Sequence, residues 1–77
     1  MNVVQEVLRF KENQKKILVD AAKPEGAHAI RFYGPVIRLL ELGLIEPLNG
    51  EAPTPRTNYW RLTSTGRQLL LGRGWIK

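Results

Sequence analysis

The groups with the clearest chemical potential are five basic side chains in the last third of the chain. Residues 52–77 contain no Asp or Glu, whereas residues 1–51 balance their acids and bases, so the whole net charge of +5 lies in the last third. Guanidinium and ammonium groups bind phosphate oxygens, and a one-sided basic segment is typical of a nucleic-acid-binding surface. The alternative is a solvated cationic face. The five residues are Arg56, Arg61, Arg67, Arg73 and Lys77.

Catalytic chemistry lacks the groups that it needs. A hydrolytic triad could use only His28, Ser64 and Asp20, and Ser64 is explained by its place at a helix start. The single histidine and the absence of cysteine give no metal-ligand spacing. Neither GxGxxG nor GxxxxGK[ST] occurs. We therefore expect a binding module that is not an enzyme and holds neither metal nor cofactor.

Length and composition predict one small domain over residues 1–77. A chain of 77 residues buries only about 60% of its unfolded surface, which leaves little room for an internal active site. No run of about 18 apolar residues could cross a membrane, and the N-terminus lacks the pattern of a secretory signal. The lack of cysteine is compatible with a cytoplasmic location, which we predict.

A helix over residues 34–43 is the element that must position the remaining groups. Pro35 suits a first helical turn, where its missing N–H costs nothing, and Gly43 suits the left-handed residue that closes a helix. Apolar residues recur between them at spacings of one, three and four, which predicts one buried side. These residues are Val36, Ile37, Leu39 and Leu40.

A hairpin over residues 45–62 and a helix over residues 63–72 follow. Residues 45–49 and 58–62 read as strands around a polar loop with two prolines, which lack the donors of a regular ladder. The alternation of residues 59–62 puts Trp60 and Leu62 on one face, and we place Trp60 in the core. Thr63 is predicted to cap the last helix.

The first third of the chain leaves two alternatives open. Residues 1–23 form either one long helix or a pair that meets near Asn13, with a preference for the break, and Asn2 with Gln5 can form a capping box at the start. Gly26–Tyr33 reads equally as one or two helical turns or as a short strand that pairs with the hairpin.

Two segments, LLELGLI at Leu39–Ile45 and LTSTG at Leu62–Gly66, resemble the winged helix-turn-helix superfamily. The resemblance covers about half of the chain. It implies an α+β fold, a small winged helix-turn-helix domain of three to four helices with a two- or three-stranded wing hairpin. It further implies that the helix over residues 34–43 enters the major groove of DNA, while the wing lies on the neighbouring backbone or minor groove.

The function that follows is sequence-directed binding of double-stranded DNA, as in a small transcriptional regulator. Arg38 is the only basic residue between Pro35 and Gly43, and guanidinium contacts to guanine are the commonest specific readout. The helix otherwise offers few polar side chains, which predicts phosphate positioning with one or two base contacts. The predicted contact residues are Arg31, Tyr33, Arg38, Thr54, Arg56, Thr57, Asn58 and Arg61.

The apolar character of this helix also supports a second hypothesis, a winged-helix module that binds another protein as an inhibitor or adaptor. We further predict a homodimer, because apolar residues occur near both ends of the chain and exposed apolar patches mark interfaces. They are Val3, Val7 and Phe10 at one end, and Trp75 and Ile76 at the other.

Overall fold

The computed structural model describes residues 9–77 and has a small α+β architecture, as the sequence predicts. The predicted cap at Asn2 and the apolar stripe at Val3 and Val7 lie outside these residues. The described part holds three helices and one three-stranded antiparallel sheet. The elements are α1 (Glu12–Ala21), β1 (Ala27–His28), α2 (Gly34–Glu41), β2 (Ile45–Pro47), β3 (Tyr59–Leu62) and α3 (Ser64–Gly72).

Strand β3 is the centre of the sheet, with β1 on one side and β2 on the other. The register places Ala27 opposite Trp60 and Ile45 opposite Leu62, so these four apolar side chains line the buried face. The opposite face is polar: it carries the cross-strand pairs His28–Tyr59 and Glu46–Arg61. The alternation of the strands thus separates a core face from a face open to solvent.

Helix α1 begins at Glu12, after residues 9–11 that are not helical. Lys11, rather than Asn13, occupies the cap position of this helix. Most of the residues that would form the first helix of the predicted pair lie outside the described residues. The backbone N–H of Lys11 donates to the side-chain oxygen of Gln14 at 2.9 Å. The sequence does not reveal Lys11 as the cap, because lysine is not a usual capping residue and the side chain that makes the hydrogen bond, Gln14, lies inside the helix.

The segment between α1 and α2 contains a strand and not a positioning helix. Its two-residue strand β1 is held by Trp60, whose indole N–H donates to the carbonyl oxygen of Ala29 at 2.8 Å. Gly26 turns the chain into this strand with φ +74°, and a Cβ there would lie 2.6 Å from the Trp60 carbonyl oxygen. The sequence leaves open whether Gly26–Tyr33 forms helical turns or a short strand, and pairing with β3 selects the strand.

The core lies between the sheet and the three described helices, with Trp60 at its centre as predicted. Leu18 of α1, Leu39 of α2 and Leu70 of α3 are all fully buried with it. Each helix therefore presents one apolar side to the same cluster, which fixes α2 relative to the β2–β3 hairpin.

The two segments that carry the family resemblance are in direct contact at the base of the hairpin. Gly43 closes α2 with φ +71°, as its sequence position predicts. The Thr63 hydroxyl donates to the Gly43 carbonyl oxygen at 2.6 Å and accepts from the N–H of Gly66 at 3.0 Å. A Cβ on Gly66 would lie 2.1 Å from the Leu44 carbonyl oxygen, so only glycine permits this approach.

The C-terminal segment folds back onto its own chain. Trp75 packs edge-to-face on Phe10 at 6.0 Å between ring centroids, and Lys15 lies 4.8 Å from the Trp75 ring centre. Trp75 and Ile76 are thus partly buried against the core, which removes the C-terminal half of the sequence argument for a dimer. None of the described helices has the length and apolar character needed to cross a bilayer.

Candidate nucleic-acid interface

The hairpin loop, residues 48–58, ends in a tight turn at Thr54–Thr57. The Thr57 N–H donates to the Thr54 carbonyl oxygen at 3.0 Å, with Pro55 at the second position that turns favour. The Thr57 hydroxyl accepts from the Thr54 N–H at 2.9 Å, and the Thr54 hydroxyl accepts from the Arg56 N–H at 3.2 Å. The turn is therefore held from both sides and presents Arg56 in a fixed backbone conformation.

Arg56 is exposed, and among the described residues no acidic side chain pairs with it. A guanidinium at the end of an ordered turn can contact phosphate without first breaking an ion pair. Thr54 and Thr57, predicted as neutral donors, use their hydroxyl oxygens within the turn, and their two oxygens lie 3.4 Å apart. Their main contribution is to hold Arg56.

Arg61 has a partner that the sequence analysis did not anticipate. Its Nε donates to a carboxylate oxygen of Glu46 at 2.6 Å, across the register that pairs β2 with β3. Its Nη1 also lies 3.4 Å from the Leu48 carbonyl oxygen. Arg61 thus ties the start of the hairpin loop to the sheet, and Glu46 offsets its charge at the surface where phosphate would bind.

Helix α2 exposes Arg38 and Glu41, whose charged atoms lie 3.8 Å apart. Both side chains are more than half exposed, so the pair is weak and the Arg38 guanidinium can exchange it for another acceptor. Val36 and Leu39 are buried, and Leu40 and Leu42 pack against the core. The domain itself therefore accounts for most of the apolar side of α2.

The turn that enters α2 brings Arg31 and Tyr33 to the surface. Both are predicted contact residues, and a contact residue must lie there. Tyr33 occupies the cap position of α2 and is 39% exposed, while the Arg31 guanidinium lies 4.9 Å from the Phe32 ring centre. Ile30 and Phe32 are 68% and 62% exposed. The sequence analysis did not identify these two as surface residues, although the alternation of residues 27–32 contains that signal.

A cavity of about 400 Å³ opens beside the hairpin loop and is lined by residues 47–49, 54 and 56–59. It brings Arg56 and Asn58, which were predicted as contact residues, together with Tyr59, which was not. Tyr59 is 47% exposed, and its ring lies 4.8 Å from that of His28 at an angle of 35°. The alternation of residues 59–62 already places Tyr59 on the outer face of the sheet. This is the signal in the sequence that could have identified it as a site residue.

The other basic residues of the last third lie on α3 or after it. Arg73 lies beside the rings of Phe10 and Trp75, at 5.2 and 5.4 Å, and so belongs to the C-terminal contact. Arg67 and Lys77 are exposed on α3 and at the end of the chain. Of these residues, Arg73 thus takes part in the packing of the chain.

Within residues 9–77, no group of three or more His, Cys, Asp or Glu side chains could hold a metal ion. The arrangement is suited to binding through cations, amides and aromatic rings. No protein-family model, curated protein or solved structure matches this chain.

Proposed function

We propose that this chain is a winged-helix domain that binds double-stranded DNA, in the manner of a small transcriptional regulator. In this proposal α2 enters the major groove and the β2–β3 hairpin is the wing on the neighbouring backbone. The order of helix, hairpin and helix supports it, as does the contact between the two motif segments at Thr63 and Gly43. Strand β1 and a turn take the place of the positioning helix found in fuller members of the superfamily.

The observation that carries the proposal is the ordered turn that presents Arg56. An arginine held at the end of a hairpin, with no acidic partner among the described residues, is suited to a phosphate or minor-groove contact. Arg38 supplies a groove-facing guanidinium on α2, and Arg31 a third cation at the entry to that helix. The sparse polar surface of α2 favours modest sequence specificity.

The test is a salt titration of binding to a mixed-sequence duplex, followed by fluorescence anisotropy. Two phosphate contacts, from Arg56 and Arg31, predict a slope of about −1.8 for log K against log salt, hence about a 12-fold loss between 50 and 200 mM. Binding that does not respond to salt, or no binding at 50 mM, would contradict the proposal.

A protein partner is the second candidate function, and the exposure of Ile30 and Phe32 is the observation that favours it. Two large apolar side chains on one surface turn resemble the anchors of protein interfaces more than phosphate contacts. This function predicts binding that persists at high salt and is lost in Phe32→Ser, whereas DNA binding predicts the strong salt dependence given above.

A further inference from the structure

We propose that the cavity beside the hairpin loop binds an unpaired nucleotide, with its base on Tyr59 and its phosphate at Arg56. The inference rests on the proposed DNA-binding function and gives it a preference for DNA that contains a single-stranded segment. It begins from the size of the cavity, about 400 Å³, which lies within the range of small-ligand sites.

The charge of the lining selects an anion. Among residues 9–77, Arg56 is the only charged side chain that lines the cavity, and no carboxylate from this part of the chain lines it. Arg61, a cation on the outer face of the sheet, is already held by Glu46. A phosphate group entering the cavity therefore meets one guanidinium, on the turn that the two threonines fix.

The remaining lining groups suit the edge of a base. The side chain of Asn58 makes no hydrogen bond within the described part of the chain, which leaves an amide donor and acceptor available. Asn49 uses its carbonyl oxygen to accept from the Glu51 N–H at 3.0 Å, so its amide donors stay available. Asparagine amides can pair with base edges through one donor and one acceptor.

The aromatic wall suits the face of a base. Tyr59 leaves about half of its surface exposed, and the neighbouring His28 ring restricts its orientation. Bases inside a duplex already stack on their neighbours, whereas an unpaired base has a face available for an aromatic side chain. The combination of one cation, free amides and an oriented ring therefore favours a nucleotide of a single strand over a duplex step.

The experiment compares two DNA molecules by fluorescence anisotropy at 100 mM salt: a blunt duplex, and the same duplex with a three-nucleotide overhang. We expect the overhang to bind about tenfold more tightly, the size of one base–aromatic stack. Tyr59→Thr, which keeps a strand-forming residue, should abolish the preference and leave blunt-duplex affinity within twofold. Tyr59→Phe should retain the preference, and so should Phe32→Ala, which removes an exposed ring outside the cavity.

The outcomes separate this inference from the proposed function. Equal affinity for the two DNA molecules, with the salt dependence intact, overturns the cavity proposal and leaves duplex binding in place. A preference that survives in Tyr59→Thr also overturns it. A titration with a free mononucleotide, followed by NMR, distinguishes a nucleotide of a DNA strand from a free nucleotide as the ligand. Shifts at Tyr59 and Asn58 without a preference for the overhang would mean that the cavity binds a free nucleotide. That result would overturn the proposal as stated.

Discussion

The hydroxyl of Thr63 donates a 2.6 Å hydrogen bond to the carbonyl oxygen of Gly43, and so joins the end of α2 to the start of α3. The same hydroxyl accepts from the Gly66 N–H, while the Thr63 N–H donates to the Leu44 carbonyl oxygen at 3.0 Å. One threonine therefore satisfies groups at two helix ends that the hairpin separates in sequence. This contact holds the hairpin at a fixed angle to the helix proposed to read DNA.

Thr63→Val is expected to lower the free energy of unfolding by about 2 kcal/mol, because it removes a cap and leaves the Gly43 carbonyl oxygen without its side-chain donor. Urea denaturation followed by circular dichroism measures this loss. Thr65→Val is the matched control: the same atoms change on an exposed position of α3, and the effect should stay within about 0.5 kcal/mol. Equal losses in the two variants would contradict the role of Thr63.

Gly66→Ala is expected to destabilise the fold by about 3 kcal/mol, since its Cβ would lie 2.1 Å from a backbone oxygen that cannot move aside cheaply. Gly72→Ala provides the comparison within the same helix. A Cβ there meets nothing within 4 Å, and alanine should stabilise the helix by about 0.5–1 kcal/mol. Melting temperatures of the two variants should shift in opposite directions; a shift in the same direction would argue against the close approach at Leu44.

Arg56→Ala is expected to weaken duplex binding and to reduce the salt slope by about 0.9, the effect of one lost phosphate contact. Arg61→Ala should change the slope less, because Glu46 already pairs with that guanidinium. Glu46→Gln removes this carboxylate and should tighten binding. Glu12→Gln is its control, because it makes the same change in net charge on α1. Anisotropy titrations at several salt concentrations measure all four variants. An Arg61→Ala effect larger than that of Arg56→Ala would assign the contact to the sheet face.

Arg38→Ala is expected to cost about 1–3 kcal/mol of binding free energy on a preferred site and much less on random DNA, as for a bidentate contact to guanine. The preferred site is obtained by selection from a random duplex pool. Because the Arg38–Glu41 pair is open to solvent, its loss should leave the melting temperature nearly unchanged. Equal losses on both DNA molecules would mean that Arg38 touches only phosphate.

The need for a second DNA half-site is now the main support for the predicted homodimer. Trp75 packs on Phe10 of its own chain, whereas a helix with few polar side chains still needs a second half-site for useful specificity. We expect two chains on a palindromic duplex, measured by sedimentation equilibrium. Deletion of Trp75–Lys77 should reduce stability without changing this stoichiometry. A stoichiometry of one chain per palindrome would rule out the dimer.

The sequence predicts the local features of this fold well and the features set by pairing poorly. The glycine that closes α2 and the threonine that caps α3 follow from residue type and neighbouring pattern. Strand β1 is too short for periodicity to decide between a strand and helical turns, since its two residues are ordered by pairing with β3 and by the indole of Trp60.

The same distinction applies to the candidate interface. The turn at Thr54–Thr57 can be predicted from sequence, because a proline stands at its second position. The place of Arg56 in this turn follows from that prediction. The partnership of Arg61 with Glu46 depends on strand register, which the loop sequence does not determine. Strand alternation places Tyr59 on the outer face, but its approach to His28 depends on the position of β1.

The hairpin loop is anchored independently at its two ends, which gives the segment between them a distinct property. Arg61 holds the first residue of the loop through the Leu48 carbonyl oxygen, and the hydroxyl of Thr57 holds the turn at Thr54–Thr57. Lengthening a flexible connection costs little, about 0.6 kcal/mol for each doubling. Residues 51–53 therefore form a natural insertion point, where added chain could extend the reach of the loop while the three helices keep their packing.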